Sequence, residues 1–113
     1  MVDERYRQHN ELVNKVLLYL HENFTGRYWG NATGAVKTEN GHFQRYGLVG
    51  STDIIGHTGQ GRAVYIEVKT GSGKLSKQQQ IFRKMSIDCN CLHVVVYNEI
   101  NNEDFKEFPC KSF

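Results

Sequence analysis

The chain has 113 residues, 39% hydrophobic and 23% charged, with a formal net charge of +2. This fits one domain, residues 1–113, around one modest core. It contains no apolar run long enough to span a membrane and is too weakly basic to demand a nucleic-acid partner on charge alone. The polar start, MVDERYRQHN, lacks the apolar stretch of a signal peptide. Cys89, Cys91 and Cys110 make neither an easy disulfide pair nor a zinc quartet. A reducing cytoplasm is the expected compartment.

The spacing of Leu12, Val13, Val16, Leu17, Leu20 and Phe24 predicts an amphipathic helix over residues 3–24. Glu11 lies off this stripe, on the side of Leu18, a side open to cover by the sheet or by a partner chain. The segment TGRYWGNATG ends the helix as a loop. Tyr28 and Trp29 within it pack in the core, make a dimer contact or stack on an unpaired base. Residues 35–49 read as a short hairpin turning at ENG, and strands are expected at 52–57, 63–69 and 92–98. LHVVVY is nearly all apolar, the pattern of a central strand covered on both faces. Between the last two strands a helix is expected over 76–87, capped by Ser76 and burying Ile81, Phe82, Met85 and Ile87. A strand, a helix and a second strand make a parallel crossover unit. The tail after residue 98 reads as a short amphipathic end at most. The order α-β-β-β-β-α-β predicts an α/β (mixed α+β) fold, a mixed β-sheet flanked by helices.

Charged residues interrupt two of these strands. Asp53 precedes Ile54 and Ile55, while Glu67 stands among Tyr65, Ile66 and Val68, with Lys69 two residues on. If the TGQGR hairpin is symmetric about Gln60, partner numbers sum to 120 and Asp53 faces Glu67, with Lys69 on the same side. A one-residue slip would separate them. Two opposed carboxylates on a partly buried face either raise one pKa or bind a cation. Hard oxygen donors suit Mg²⁺ or Mn²⁺, which complete their shells with water and substrate phosphates. The carbonyl of Val68 is a further oxygen donor. Lys69 is placed to assist a water nucleophile or to stabilise charge building on a phosphate. Glu67 and Lys69 taken alone also match an ordinary surface ion pair.

The segments GSTD, YIEVKTG and GKLSKQQ, supported by YWGNATGA and RYGLVG, resemble the VRR-NUC family of the PD-(D/E)XK nucleases over residues 8–98. The resemblance implies a restriction-endonuclease-like sheet and a Mg²⁺- or Mn²⁺-dependent endonuclease. Stand-alone, phage-type members are similar to homodimeric Holliday-junction resolvases, which would act on four-way DNA junctions in the host cytoplasm. A monomeric nicking or flap nuclease, and a catalytically silent DNA-binding module, are the rival readings. By this resemblance Asp53 and Glu67 are metal ligands, Lys69 is the catalytic lysine, Gln79 belongs to the site and Glu11 completes the metal shell. Thr52 stands where the superfamily carries proline, and Gly30 where relatives often carry arginine.

Several of these residues have a second explanation. Ser76 and Gln79 fit a capping box, and Glu11 fits a solvated helix position. TGSGK lacks the spacing of a nucleotide-binding loop and reads as a flexible turn. Arg27, Asn31, Lys37, Arg45, Lys74 and Lys77 are candidates for DNA contact, which would supply affinity and salt dependence rather than sequence readout. The histidines show no zinc spacing.

Overall fold

The computed structural model describes residues 4–32 and 34–112, without the side chains of residues 34, 35 and 46; residue 3, the expected helix start, lies outside this set. Helix α1 (Glu4–Asn23) comes first, followed by strands β1 (Arg27–Gly30), β2 (Gly34–Lys37), β3 (Phe43–Tyr46), β4 (Ile54–His57) and β5 (Ala63–Lys69). Helix α2 (Lys77–Asp88), strand β6 (Leu92–Tyr97) and a 3₁₀ turn, η1 (Asn102–Phe105), complete the order. The mixed α/β class is as expected. The chain adds β1, a strand where the glycine-bearing TGRYWGNATG read as loop. Tyr28 supplies the reason: it is buried in the core while its strand neighbours are exposed, and one anchored aromatic holds four residues against β4.

The main sheet has the order β1-β4-β5-β6, antiparallel except for the parallel β5–β6 pair. Ile54 pairs with Ile66 and Ile55 with Tyr65, the register of a hairpin centred on Gln60. Buried Thr58 sets that register: its hydroxyl accepts from Gln60 N at 3.3 Å and Arg62 N at 3.1 Å. Strands β2 and β3 form a separate two-stranded ribbon, with Lys37 opposite Phe43.

One face of the sheet, carrying Ile54, Val64, Ile66, Val68, Leu92, Val94 and Val96, packs against Leu12, Val16 and Leu20 of α1. Fully burying each such side chain contributes about 1.5–3 kcal/mol. The tail is a core element rather than a loose end. Phe105 and Phe108 are buried and join Tyr19, Phe24 and Tyr28 in one aromatic cluster.

Two expectations are corrected. β6 lies at the sheet's edge, not its centre. An apolar run reports covered faces, and says nothing of whether both edges are paired. On α2, Phe82 packs edge-on to Tyr65 at 4.9 Å and Ser86 is buried, whereas Ile81, Met85 and Ile87 are each about half exposed or more, at 51%, 62% and 49%. The helix meets the sheet along a narrow line, so its wider apolar stripe stays open. Of the two covers open to the Leu18 side of α1, the sheet is not the one: Leu18 is exposed.

Gly56 sits opposite Tyr28, and a Cβ there would collide with the Arg27 carbonyl oxygen and the Tyr28 ring. Gly56→Ala is therefore expected to destabilise the protein by about 1–3 kcal/mol, read as a lower urea midpoint at unchanged slope.

Candidate active site

The β4–β5 ladder ends at the pair Ile54–Ile66, one residue short of Asp53. Asp53 continues the pairing with its side chain: Oδ2 accepts from Val68 N at 2.8 Å. The carboxylate therefore lies at the rim of β5, where it stays partly exposed. The backbone leading to it is held on every side. Asn31 N donates to Asp53 O at 2.8 Å, and the Asn31 amide donates to Ser51 Oγ and Thr52 O, each at 2.9 Å. Buried Thr52 donates its hydroxyl to Ile54 O at 2.8 Å. At the position where proline was expected, Thr52 fixes the turn by this bond instead. Asn31, a candidate for DNA contact, has its amide engaged in placing Asp53.

Glu67 is 4% exposed and shares a hydrogen bond with Asp53. Its Oε2 is buried and has no hydrogen-bond partner among the described residues. Burial, then the hydrogen bond and charge of Asp53, push the Glu67 carboxyl up to about 9, and the charge of Lys69 offsets only part of this. Among the described residues an unpaired buried carboxyl oxygen is costly. Retaining one next to a second carboxylate fits a site that holds a cation.

Lys69 follows at the end of β5, and its neighbourhood is pinned. Asn98 N donates to Lys69 O at 2.8 Å, while the Asn98 amide exchanges hydrogen bonds with Gly71 N at 2.7 Å and Gly71 O at 3.1 Å. Gly71 and Asn98 both adopt positive φ, 63° and 65°. The TGSG segment is thus anchored at its first glycine rather than free.

His9, which the sequence reading passed over, completes the rim. Its Nε2 lies 3.4 Å from Asp53 Oδ2. The signal was present: residues 9, 12, 13 and 16 share one helical face, so His9 extends the buried stripe onto the sheet.

The structure does not bring the remaining candidates to the pair. Glu11 is exposed, 4.0 Å from Arg7, and lines a shallow cleft with Lys15, Thr70 and Asn98 around the end of β5. Gln79 serves the capping box: its Oε1 accepts from Ser76 N at 2.8 Å, and Gln79 N donates to Ser76 Oγ at 3.2 Å. Arg27, Lys37, Arg45, Lys74 and Lys77 are exposed, with Lys37 and Arg45 on the β2–β3 ribbon. Trp29 is 47% exposed and meets His57 edge-on, while Tyr28 belongs to the core. His93 packs against Phe82 and accepts from Arg83, and burial together with that guanidinium depresses its pKa to about 4.

No group of three or more His, Cys, Asp or Glu side chains among the described residues is arranged as a metal cluster. Two carboxylates suffice for Mg²⁺, which is bound through one or two of them with water and substrate phosphates. The donor set therefore fits a hard divalent ion. Val68 adds to it: its N–H points to Asp53, and in extended chain the carbonyl of the same residue leaves by the same edge. The chain matches no known family model, no curated protein and no solved structure.

The raised Glu67 pKa carries a sign. Its contribution to stability is full below the unfolded value of 4.5, falls as pH rises above it, and is lost on passing about 9. In chelator, Glu67→Gln should melt higher than the parent at pH 8, by on the order of 5 °C, with the gap closing towards pH 4. Added Mg²⁺ or Mn²⁺ should raise the melting point of the parent and not of Glu67→Gln; scanning calorimetry across pH checks both.

Proposed function

We propose that the protein is a Mg²⁺- or Mn²⁺-dependent DNA endonuclease of the VRR-NUC type, cutting branched DNA such as a four-way junction as a homodimer. The observation that carries the reading is the buried Glu67 Oε2, unpartnered among the described residues beside Asp53 on a rigid sheet rim. The segments that resemble that family carry these same residues.

Asp53, Glu67 and the Val68 carbonyl would hold the ion. When bound, the ion supplies Lewis acidity towards water and the scissile phosphate. Asp53 is fixed by Val68 N and approached by His9, so its free oxygen positions keep one orientation. Glu67 would release its proton to solvent and take a share of the ion's charge. Lys69, held at its carbonyl by Asn98, presents its ammonium to the attacking water or to charge accumulating on the phosphate.

Cutting two strands symmetrically takes two such sites, and a two-fold dimer supplies them. Apolar surface supports association: Leu48, Val49, Ile81 and Met85 are each more than half exposed and line one groove with Phe82 and Cys89. Exposed apolar patches of this kind mark interaction sites.

The test is cleavage of labelled junction, flap, bubble, duplex and single-stranded DNA, with and without Mg²⁺. Glu67→Gln should abolish cutting and keep junction binding. Lys69→Met should slow it by about 100-fold or more. Undiminished cutting by Glu67→Gln ends the assignment. Sedimentation velocity distinguishes the dimer from a monomeric flap nuclease.

A further inference from the structure

The β2–β3 ribbon stands apart from the body. Among the described residues, strands β2 and β3 pair with each other and pack appreciably on no other element. The molecule is 53 Å long and has a radius of gyration of 15.2 Å, against about 13 Å for a compact domain of this size. A lone two-stranded ribbon is marginal in water without something to pack against.

Its register decides what it displays. Lys37 is opposite Phe43 and residue 35 is opposite Arg45, so Lys37, Phe43 and Arg45 share one face. All three side chains are exposed, Phe43 at 74%. Lys37 and Arg45 are diagonal neighbours, about 7–8 Å apart at the backbone, and Phe43 stands directly opposite Lys37 and two residues from Arg45 on the same face. Glu39 is the segment's acidic residue and sits in the turn beyond the paired residues. An exposed ring beside two cations, on a ribbon that no other element covers among the described residues, matches one ligand chemistry: an unpaired base with its flanking phosphates.

We propose that the β2–β3 ribbon is a DNA-gripping arm, with Phe43 stacking on an unpaired base at the branch and Lys37 and Arg45 holding the phosphates on either side. The inference rests on the DNA-cleaving reading above and adds how branched substrate is told from plain duplex. A base in intact duplex offers no free face to Phe43, whereas one at a branch does.

The experiment measures binding of the full chain to a four-way junction, a single strand and a linear duplex, in chelator so that nothing is cut. The junction carries 2-aminopurine at the branch. Phe43→Ala should weaken junction and single-strand binding about tenfold or more and leave duplex binding unchanged. It should also remove the stacking quench of the probe, and Phe43→Trp should restore both. Lys37→Gln and Arg45→Gln should each reduce the slope of log K against log salt by about 0.7–0.9. The arm is overturned if the variants bind the junction as the parent does, or if the parent binds none of these DNAs. It is also overturned if Phe43→Ala changes the sedimentation coefficient while affinity stays the same, since the ribbon would then be covering a second copy. The two readings fail separately. Junction cutting by a parent whose Phe43→Ala variant binds normally removes the arm alone. Ribbon-dependent binding without Mg²⁺-dependent cutting removes the nuclease and leaves the arm.

Discussion

A single hydrogen bond, from Val68 N to the Asp53 carboxylate, organises the site. It replaces the ladder bond that β4 no longer provides, because β4 starts one residue later, at Ile54. A backbone partner there would have left the rim of β5 neutral and closed. A carboxylate satisfies the same N–H and brings a charge to the rim, together with oxygen capacity that the N–H does not use. The preceding turn exists to hold this side chain still: Asn31, Ser51 and Thr52 spend their polar groups on it.

The cost falls on Glu67. Its neighbours Ile66 and Val68 belong to the core, so the strand cannot move Glu67 outwards without pulling apart the face under α1. The carboxyl is held where water does not reach it and where Asp53 already carries negative charge. The proton that Glu67 retains is the protein's own relief, and a divalent cation is the other available one. Proteins store strain of this sort where function uses it. Lys69 alone offsets only part of the pair's charge, as its minor effect on Glu67 shows.

Much of this was legible before any coordinates. The hairpin register follows from a loop centred on Gln60, and period-two alternation then carries Asp53, Glu67 and Lys69 together. The capping box at Ser76 and Gln79 is a local pattern and formed as read. What stayed hidden depends on tertiary packing. His9 reaches Asp53 only once α1 is laid across the sheet. β1 forms because one tyrosine finds the core, which outweighs its glycine-rich surroundings. The position of β6 at the edge is a matter of strand order, and side-chain hydropathy carries no record of that. Asn98 looks like any residue after a strand until Gly71 is found opposite it.

The aromatic cluster joins Tyr19 and Phe24 to Phe105 and Phe108, so α1 is completed by residues more than 80 positions away. A chain emerging from the ribosome would make this helix well before its aromatic partners and leave the helix's greasy end unsheathed until Phe105 and Phe108 have left the tunnel. Contacts between such distant segments slow folding, because the intervening loop must be closed before they repay it. Assembly of the carboxylate rim therefore waits on a clasp from far along the sequence, and a newly made copy is at its stickiest just before that clasp shuts.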